Sequence, residues 1–217
     1  MQNFVVLANQ TSGSTLLVEL LNSHYQVRCF GEIFHKNYKN GWLDYSNDKN
    51  STDKLAHGFK LMINQISDPW ILEEIKQKDY KVIMLCRKNK FSQCIFQRNS
   101  CKKIGNKIHV DRKNLTHRIS QFINNETNHS HIADMIFSYE ELTNNNNISK
   151  LGNEKIRSSL ISLLGINDGS FSANLKKKER KSYSELLANY EEITDLEQKY
   201  SNHIPVFKNT KNTAIII

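Results

Sequence analysis

Four groups of residues in this 217-residue chain have the types and spacing to do chemistry. Ser12-Gly13-Ser14-Thr15 follows the apolar run Phe4-Val5-Val6-Leu7-Ala8 and opens a leucine-rich stretch. A strand, a small-residue turn and a helix start leave free backbone N–H groups at the positive end of a helix dipole, which attracts phosphate and similar anions. Gly13 lets the backbone approach closely, and the neighbouring hydroxyls add neutral donors. The same residue types also make an ordinary Ser/Thr helix cap. Glu32 follows Gly31 at the end of a second short strand, where parallel sheets build ligand sites; a carboxylate in a partly closed cleft there suits proton acceptance. Lys60 lies inside an apolar strand pattern, which is costly unless its amine reaches water or a charged partner. Arg87 ends the run Val82–Cys86, a position from which a guanidinium fork can grip an anion at two points.

The pattern of the opening loop narrows the anion. A nucleotide triphosphate loop reads G-x-x-x-x-G-K-[ST]. Here no Lys follows Gly13 and no Gly stands five residues before it. Metal-dependent hydrolysis of ATP or GTP is therefore disfavoured, and G-x-G-x-x-G is absent. Cys29, Cys86, Cys94 and Cys101 form no Cys-x-x-Cys pair and show no zinc spacing with the histidines, so buried free thiols and no metal are expected.

The elements that must position these groups read from hydrophobic periodicity. Strands are expected at 4–8, 26–30, 56–62, 81–86 and within 131–139. Helices are expected at 14–23, 69–77, 89–104, 112–124, 154–164 and 181–200. Residues 36–55 read as a long polar surface loop, a length that is often functional; Trp42 and Tyr45 in it suit either an acceptor pocket or loop anchoring. Strands alternating with helices predict an α/β domain: a mainly parallel central sheet with helices on both faces, in one unit over 1–217. A hydrophobic fraction of 38% supports a real core. No apolar run reaches the ~20 residues that span a bilayer, and Met1-Gln2-Asn3 leads straight into a strand with no signal pattern. These features predict a soluble, cytoplasmic protein. The net charge of +8 suits an anionic cofactor or substrate, or a nucleic acid, although Lys and Asn are abundant throughout.

Six stretches, in order, resemble the sulfotransferases that use 3′-phosphoadenosine 5′-phosphosulfate (PAPS). Ser12-Gly13-Ser14-Thr15 matches their 5′-phosphosulfate loop, with Thr11 where the family has a basic residue. "FGEIF" (30–34) resembles the G-E-x-F segment of bacterial members. "GFKLMINQI" (58–66) resembles their strand Lys and following Gln. "VIMLCRKNKFSQCIF" (82–96) resembles the fourth strand with its Arg and N-x-x-x-Q spacing. "FSYEEL" (137–142) resembles Y-E-[DE]-L. "LKKKERKSYSELLANYEEI" (175–193) resembles the C-terminal Lys segment and its N-Y-x-E-[IL] helix.

The resemblance implies a P-loop-like three-layer fold and an enzyme. It would move the sulfuryl group from PAPS to a hydroxyl or amine of an acceptor, release 3′-phosphoadenosine 5′-phosphate (PAP) and need no metal. It implies Glu32 as catalytic base, with His35 in reserve, and Lys60 as the cation that stabilises the transition state. Thr11, Ser12, Gly13, Ser14 and Thr15 would hold the 5′ end of the cofactor. Arg87 would hold its 3′-phosphate, with Lys177 beside it. The family's second 3′-phosphate donor falls on Phe96, which cannot donate; Ser92 and Ser100 lie a turn either side, and Ser100 is the expected substitute. Two alternatives stay open: a divergent P-loop-like kinase or NTPase, and a non-catalytic nucleotide- or nucleic-acid-binding protein. A carbohydrate, lipid or small-molecule acceptor is expected, with nucleic acid ranked low.

Overall fold

The computed structural model describes residues 1–34, 38–51, 53–66, 69–95, 101–143, 151, 153–174, 182–204, 206–207 and 213–216. Its centre is a six-stranded, fully parallel sheet in the order β2-β3-β1-β4-β7-β8. The strands are β1 (Gln2–Ala8), β2 (Val27–Glu32), β3 (Ala56–Met62), β4 (Lys81–Cys86), β7 (Met135–Ser138) and β8 (Ala214–Ile216). β5 (Cys101–Ile104) and β6 (Lys107–Val110) form a separate antiparallel hairpin. The strands are apolar on both faces because both faces are covered. Phe4, Val6 and Ala8 of β1 turn to one side, where they meet Leu16, Leu17, Leu20 and Leu21 of α1 (Ser14–Ser23) and Ile156, Leu160 and Leu164 of α7 (Glu154–Leu164). Val5 and Leu7 turn to the other side, toward Tyr45 of α2 (Tyr38–Ser51) and Ile71 and Ile75 of α3 (Pro69–Gln77). A third cluster joins α4 (Lys90–Cys94), α5 (Arg112–His129), α8 (Tyr183–Leu186) and α9 (Thr194–Tyr200). A last short helix, α6 (Tyr139–Leu142), follows β7.

The fold class is thus the expected one, a parallel sheet between helical layers. Three local readings are corrected. Residues 38–51 of the expected loop are the helix α2, held by the packing of Trp42 and Tyr45 on Phe59. Of the single helix expected over 89–104, 90–94 is α4, whereas 101–104 is a strand. The 181–200 helix is broken into α8, a 3-10 turn at Tyr190–Glu192 and α9.

The chain leaves β1 toward the β2 side of the sheet and leaves β4 toward the β7 side. The connections part at the β1/β4 boundary. In open parallel sheets, the crevice beyond the strand carboxyl ends at such a boundary is where ligands sit.

Candidate active site

The loop after β1 ends at that boundary. Gly13 is the N-cap of α1, at φ +94°, and no side chain caps the helix. The plain Ser/Thr cap is therefore not formed, and among the described residues no side chain accepts from the first N–H groups of α1. Ser12 is fully buried, and its hydroxyl bonds no described group. An unpaired buried hydroxyl costs about 1–3 kcal/mol, so an anion taking that donor would remove a cost already present. Thr11 also lies in the left-handed region, at φ +56°, which is strained for a β-branched residue. The turn is held from outside. Thr11 Oγ1 donates to the Gln93 carbonyl at 2.6 Å, Gln93 Nε2 donates to the Gln10 carbonyl at 3.0 Å, and Arg87 Nη1 donates to the Thr11 carbonyl at 3.0 Å.

Gly13 has a second reason to be glycine. A Cβ there would lie 2.2 Å from Cδ2 of Tyr139. Gly13→Ala must move either the ring or the loop and also pays for a positive φ. It is expected to lower stability by about 1–3 kcal/mol, read by denaturant melting, whereas Gly31→Ala, with open space at its Cβ, should fall within about 1 kcal/mol of the parent.

Glu32 and Lys60 are brought together by a β-bulge. Phe30 pairs with Phe59, but Lys60 pairs with Glu32, so Gly31 is the extra residue. Regular pairing would put Glu32 opposite Leu61, on the α2–α3 face; the bulge turns it to the α1 face that Lys60 shares. Lys60 Nζ is 3.1 Å from Glu32 Oε1 and donates to Thr15 Oγ1 at 3.5 Å. Gln65 Nε2 donates to Glu32 Oε2 at 3.2 Å, while Gln65 Oε1 accepts the Met62 N–H. Both carboxylate oxygens are thereby oriented. Lys60 sits at 11% side-chain exposure and Glu32 at 29%, so the pair is shielded on one side and open on the other. A single ammonium thus links a carboxylate to the first turn of the helix that heads the anion loop.

Arg87 sits across the loop. Its Nη2 donates to Ser92 Oγ at 3.1 Å, its guanidinium lies 4.9 Å from the centre of the Tyr139 ring, and Nε is 3.9 Å from Glu140 Oε1. Glu140 accepts the backbone N–H groups of Lys88 and Asn89 and fixes the turn after β4. Asn89 caps α4 by accepting the Ser92 N–H. Arg87 therefore has a structural task on the loop, and still has N–H donors beyond these two bonds.

Beneath the loop lies a buried polar network that the sequence did not reveal. Lys90 and Glu126 are both fully buried, with Nζ 2.5 Å from each carboxylate oxygen. Asn9 Nδ2 donates to Glu126 Oε1 at 3.1 Å and to the Phe122 carbonyl at 3.0 Å. Lys90 Nζ also reaches Gln93 Oε1 at 3.4 Å. Burial pushes the Glu126 carboxyl up, and the Lys90 ammonium, the Asn9 amide and the Cys86 thiol oppose this. The network ties the residue after β1 to α5 and α4, so the start of the anion loop is fixed to two helices.

The structure gathers Ser12, Gly13, Ser14, Thr15, Glu32, Lys60 and Arg87 at one end of the sheet, with Thr11 facing Gln93 and Arg87. Ser100, Lys177, His35 and Phe96 lie outside the described residues. Ser92, the other serine of that helix face, is the one that contacts Arg87. Of the two readings for Tyr45 the structure supports anchoring: it is 1% exposed and its hydroxyl donates to the Tyr80 hydroxyl at 3.2 Å, so it belongs to the core. The four cysteines form no disulfide with one another. Burial pushes the thiols of Cys29 and Cys86 up, and that of Cys94 up to about 12, which keeps them protonated and unreactive. Sequence reasoning passed over Gln65, Tyr139 and Glu140 as working residues, though each stands in a quoted motif; Asn9, Lys90 and Glu126 carried no local signal.

Fold and site together give a parallel α/β protein with a strained loop at the head of its first helix and a Lys–Glu pair beside it. No protein-family model matches the chain, and no curated protein matches it.

Proposed function

We propose that this chain is a PAPS-dependent sulfotransferase. The observation that carries the reading is the Glu32–Lys60–Thr15 chain of contacts, which sets a proton acceptor and a cation side by side at the mouth of an anion loop. The bound donor would supply the sulfuryl group and depart as PAP. The residues present suit it: Ser12 offers a buried, unpaired hydroxyl and the start of α1 offers backbone N–H groups to its 5′ end. Arg87, steadied by Tyr139 and Ser92, offers a fork to its 3′-phosphate. Glu32 accepts the proton of the acceptor hydroxyl or amine at a carboxylate oxygen whose direction Gln65 fixes. Lys60 holds positive charge where the loop begins the helix, which the neutral Thr11 does not supply. Catalysis of this kind rests on positioning and charge placement fixed before the reaction.

The test is a thermal-shift series with PAP, Mg-ATP and Mg-GTP. At a hundredfold excess over Kd, PAP should stabilise the protein by about 2.7 kcal/mol, a rise of roughly 5–10 °C for a chain of this size. No shift with PAP overturns the reading. A larger shift with Mg-ATP favours a kinase or NTPase, and a PAP shift without sulfuryl transfer to any acceptor favours a non-catalytic nucleotide binder.

A further inference from the structure

The hairpin β5–β6 lies in the connection that leaves the carboxyl end of β4, and among the described residues its backbone anchors lie at its base. Asn189 brackets Val110, donating to its carbonyl and accepting its N–H, both at 2.9 Å. Ala188 N donates to the Ile108 carbonyl at 2.8 Å. The far end is free of the body: every residue from Lys102 to Lys107 is exposed. Strand pairing sets Lys102 opposite His109 and Ile104 opposite Lys107. These four therefore share one face, because paired and alternate residues of a ribbon point the same way. The other face holds Cys101, Lys103, Ile108 and Val110, of which Cys101, Ile108 and Val110 pack on the third core cluster. The outward face thus has an aliphatic side chain, 56% exposed, ringed by basic residues.

Along the chain the charge of this segment is one-sided, although Arg112 is taken up by Asp195. Residues 101–118 contain six Lys or Arg and one acid, Asp111, within a chain whose net charge is +8. Asp111 is occupied as the N-cap of α5, accepting the Asn114 N–H. Lys102, Lys103 and Lys107 form no ion pair among the described residues. The turn Gly105-Asn106, with Gly105 at φ +58°, keeps the tip narrow.

We propose that the outer face of this hairpin docks the protein on an anionic phospholipid surface. Ile104 enters the headgroup layer, and Lys102 and Lys107 beside it pair with lipid phosphates while their methylene stems lie along the boundary. A single-stranded nucleic acid fits less well, because stacking on aromatic rings is central to its binding and the hairpin has no Phe, Tyr or Trp. The protein lies on the bilayer in this proposal: among the described residues no helix is long and apolar enough to cross one. The inference does not depend on the sulfotransferase reading.

Vesicle co-sedimentation of the full chain tests it, with phosphatidylcholine vesicles set against phosphatidylcholine–phosphatidylserine vesicles. The protein should sediment with the anionic vesicles only. Lys102→Glu/Lys107→Glu should weaken that partitioning about 25-fold, roughly fivefold per lysine. Ile104→Ser should weaken it about tenfold. All three side chains are exposed, so the melting temperature should not move. No sedimentation with anionic vesicles overturns the proposal, as does parental partitioning in either variant. Tighter binding to an RNA strand than to the vesicles, kept in Ile104→Ser, assigns the face to nucleic acid and also overturns it.

Discussion

Lys60→Met is expected to lower kcat for sulfuryl transfer by about two to three orders of magnitude, the usual cost of removing one preorganised charge donor from a reacting centre, with PAP affinity changed by no more than a few fold. Lys60 reaches both Glu32 and Thr15, whereas Ser12, the α1 N-terminus and Arg87 contact the loop without it. Binding and chemistry should therefore separate. Met keeps the length and most of the volume of the lysine stem, and Glu32 keeps Gln65 as a partner, so the fold should survive. Glu32→Gln should be comparably slow, and the double variant should be little slower than either single one, because residues that act as a unit lose activity together. Kinetics with PAP-induced stabilisation as the folding control decide the matter. Parental turnover in Lys60→Met would remove Lys60 from the mechanism.

The second large effect concerns stability. Lys90→Met leaves the Glu126 carboxyl in the core without its cation. Breaking a fully buried pair from one side costs about 3–5 kcal/mol, or roughly 6–20 °C in Tm for a protein of this size. Replacing both partners, as in Lys90→Met/Glu126→Leu, removes the orphaned charge and should recover most of that loss, since apolar residues of similar volume often match or exceed a buried pair. The pair also anchors Asn9 at the start of the anion loop, so the double variant should fold well yet bind PAP more weakly. A Lys90→Met protein within about 1 kcal/mol of the parent would show that water or local rearrangement replaces the pair.

What the sequence disclosed follows a physical line. The central strands were legible because burial on both faces makes them continuous apolar runs, as in Val82–Cys86. α1 and α7 showed their apolar stripes at helical spacing. α2 was not legible: its residues Asn40, Gly41, Asp44, Ser46, Asn47 and Asp48 are poor helix formers, and it is held by contacts of Trp42 and Tyr45 that only the fold supplies. β5 was read as helix because its basic residues continue the pattern of α4, although Gly105-Asn106 between short extended runs is a hairpin signal. The site residues were found by type and place. Their geometry was hidden, because the bulge at Gly31 depends on pairing with a strand some thirty residues away. The Lys90–Glu126 pair was hidden for the same reason: nothing local marks which charge on a helix will be buried.

The place of β1 in the middle of the sheet has a kinetic consequence. Gln2 pairs with Ala56 and Phe4 with Lys81, so the first strand of the chain gains neither neighbour until distant segments arrive. Closing such long loops must precede the contacts that reward them, and it slows folding. The anion loop hangs from that strand and is braced by residues beyond it, from Arg87 to Glu126. It therefore assembles late, as a product of nearly complete folding. A refolding experiment should find ligand protection appearing with the slowest phase, after most helical signal has returned.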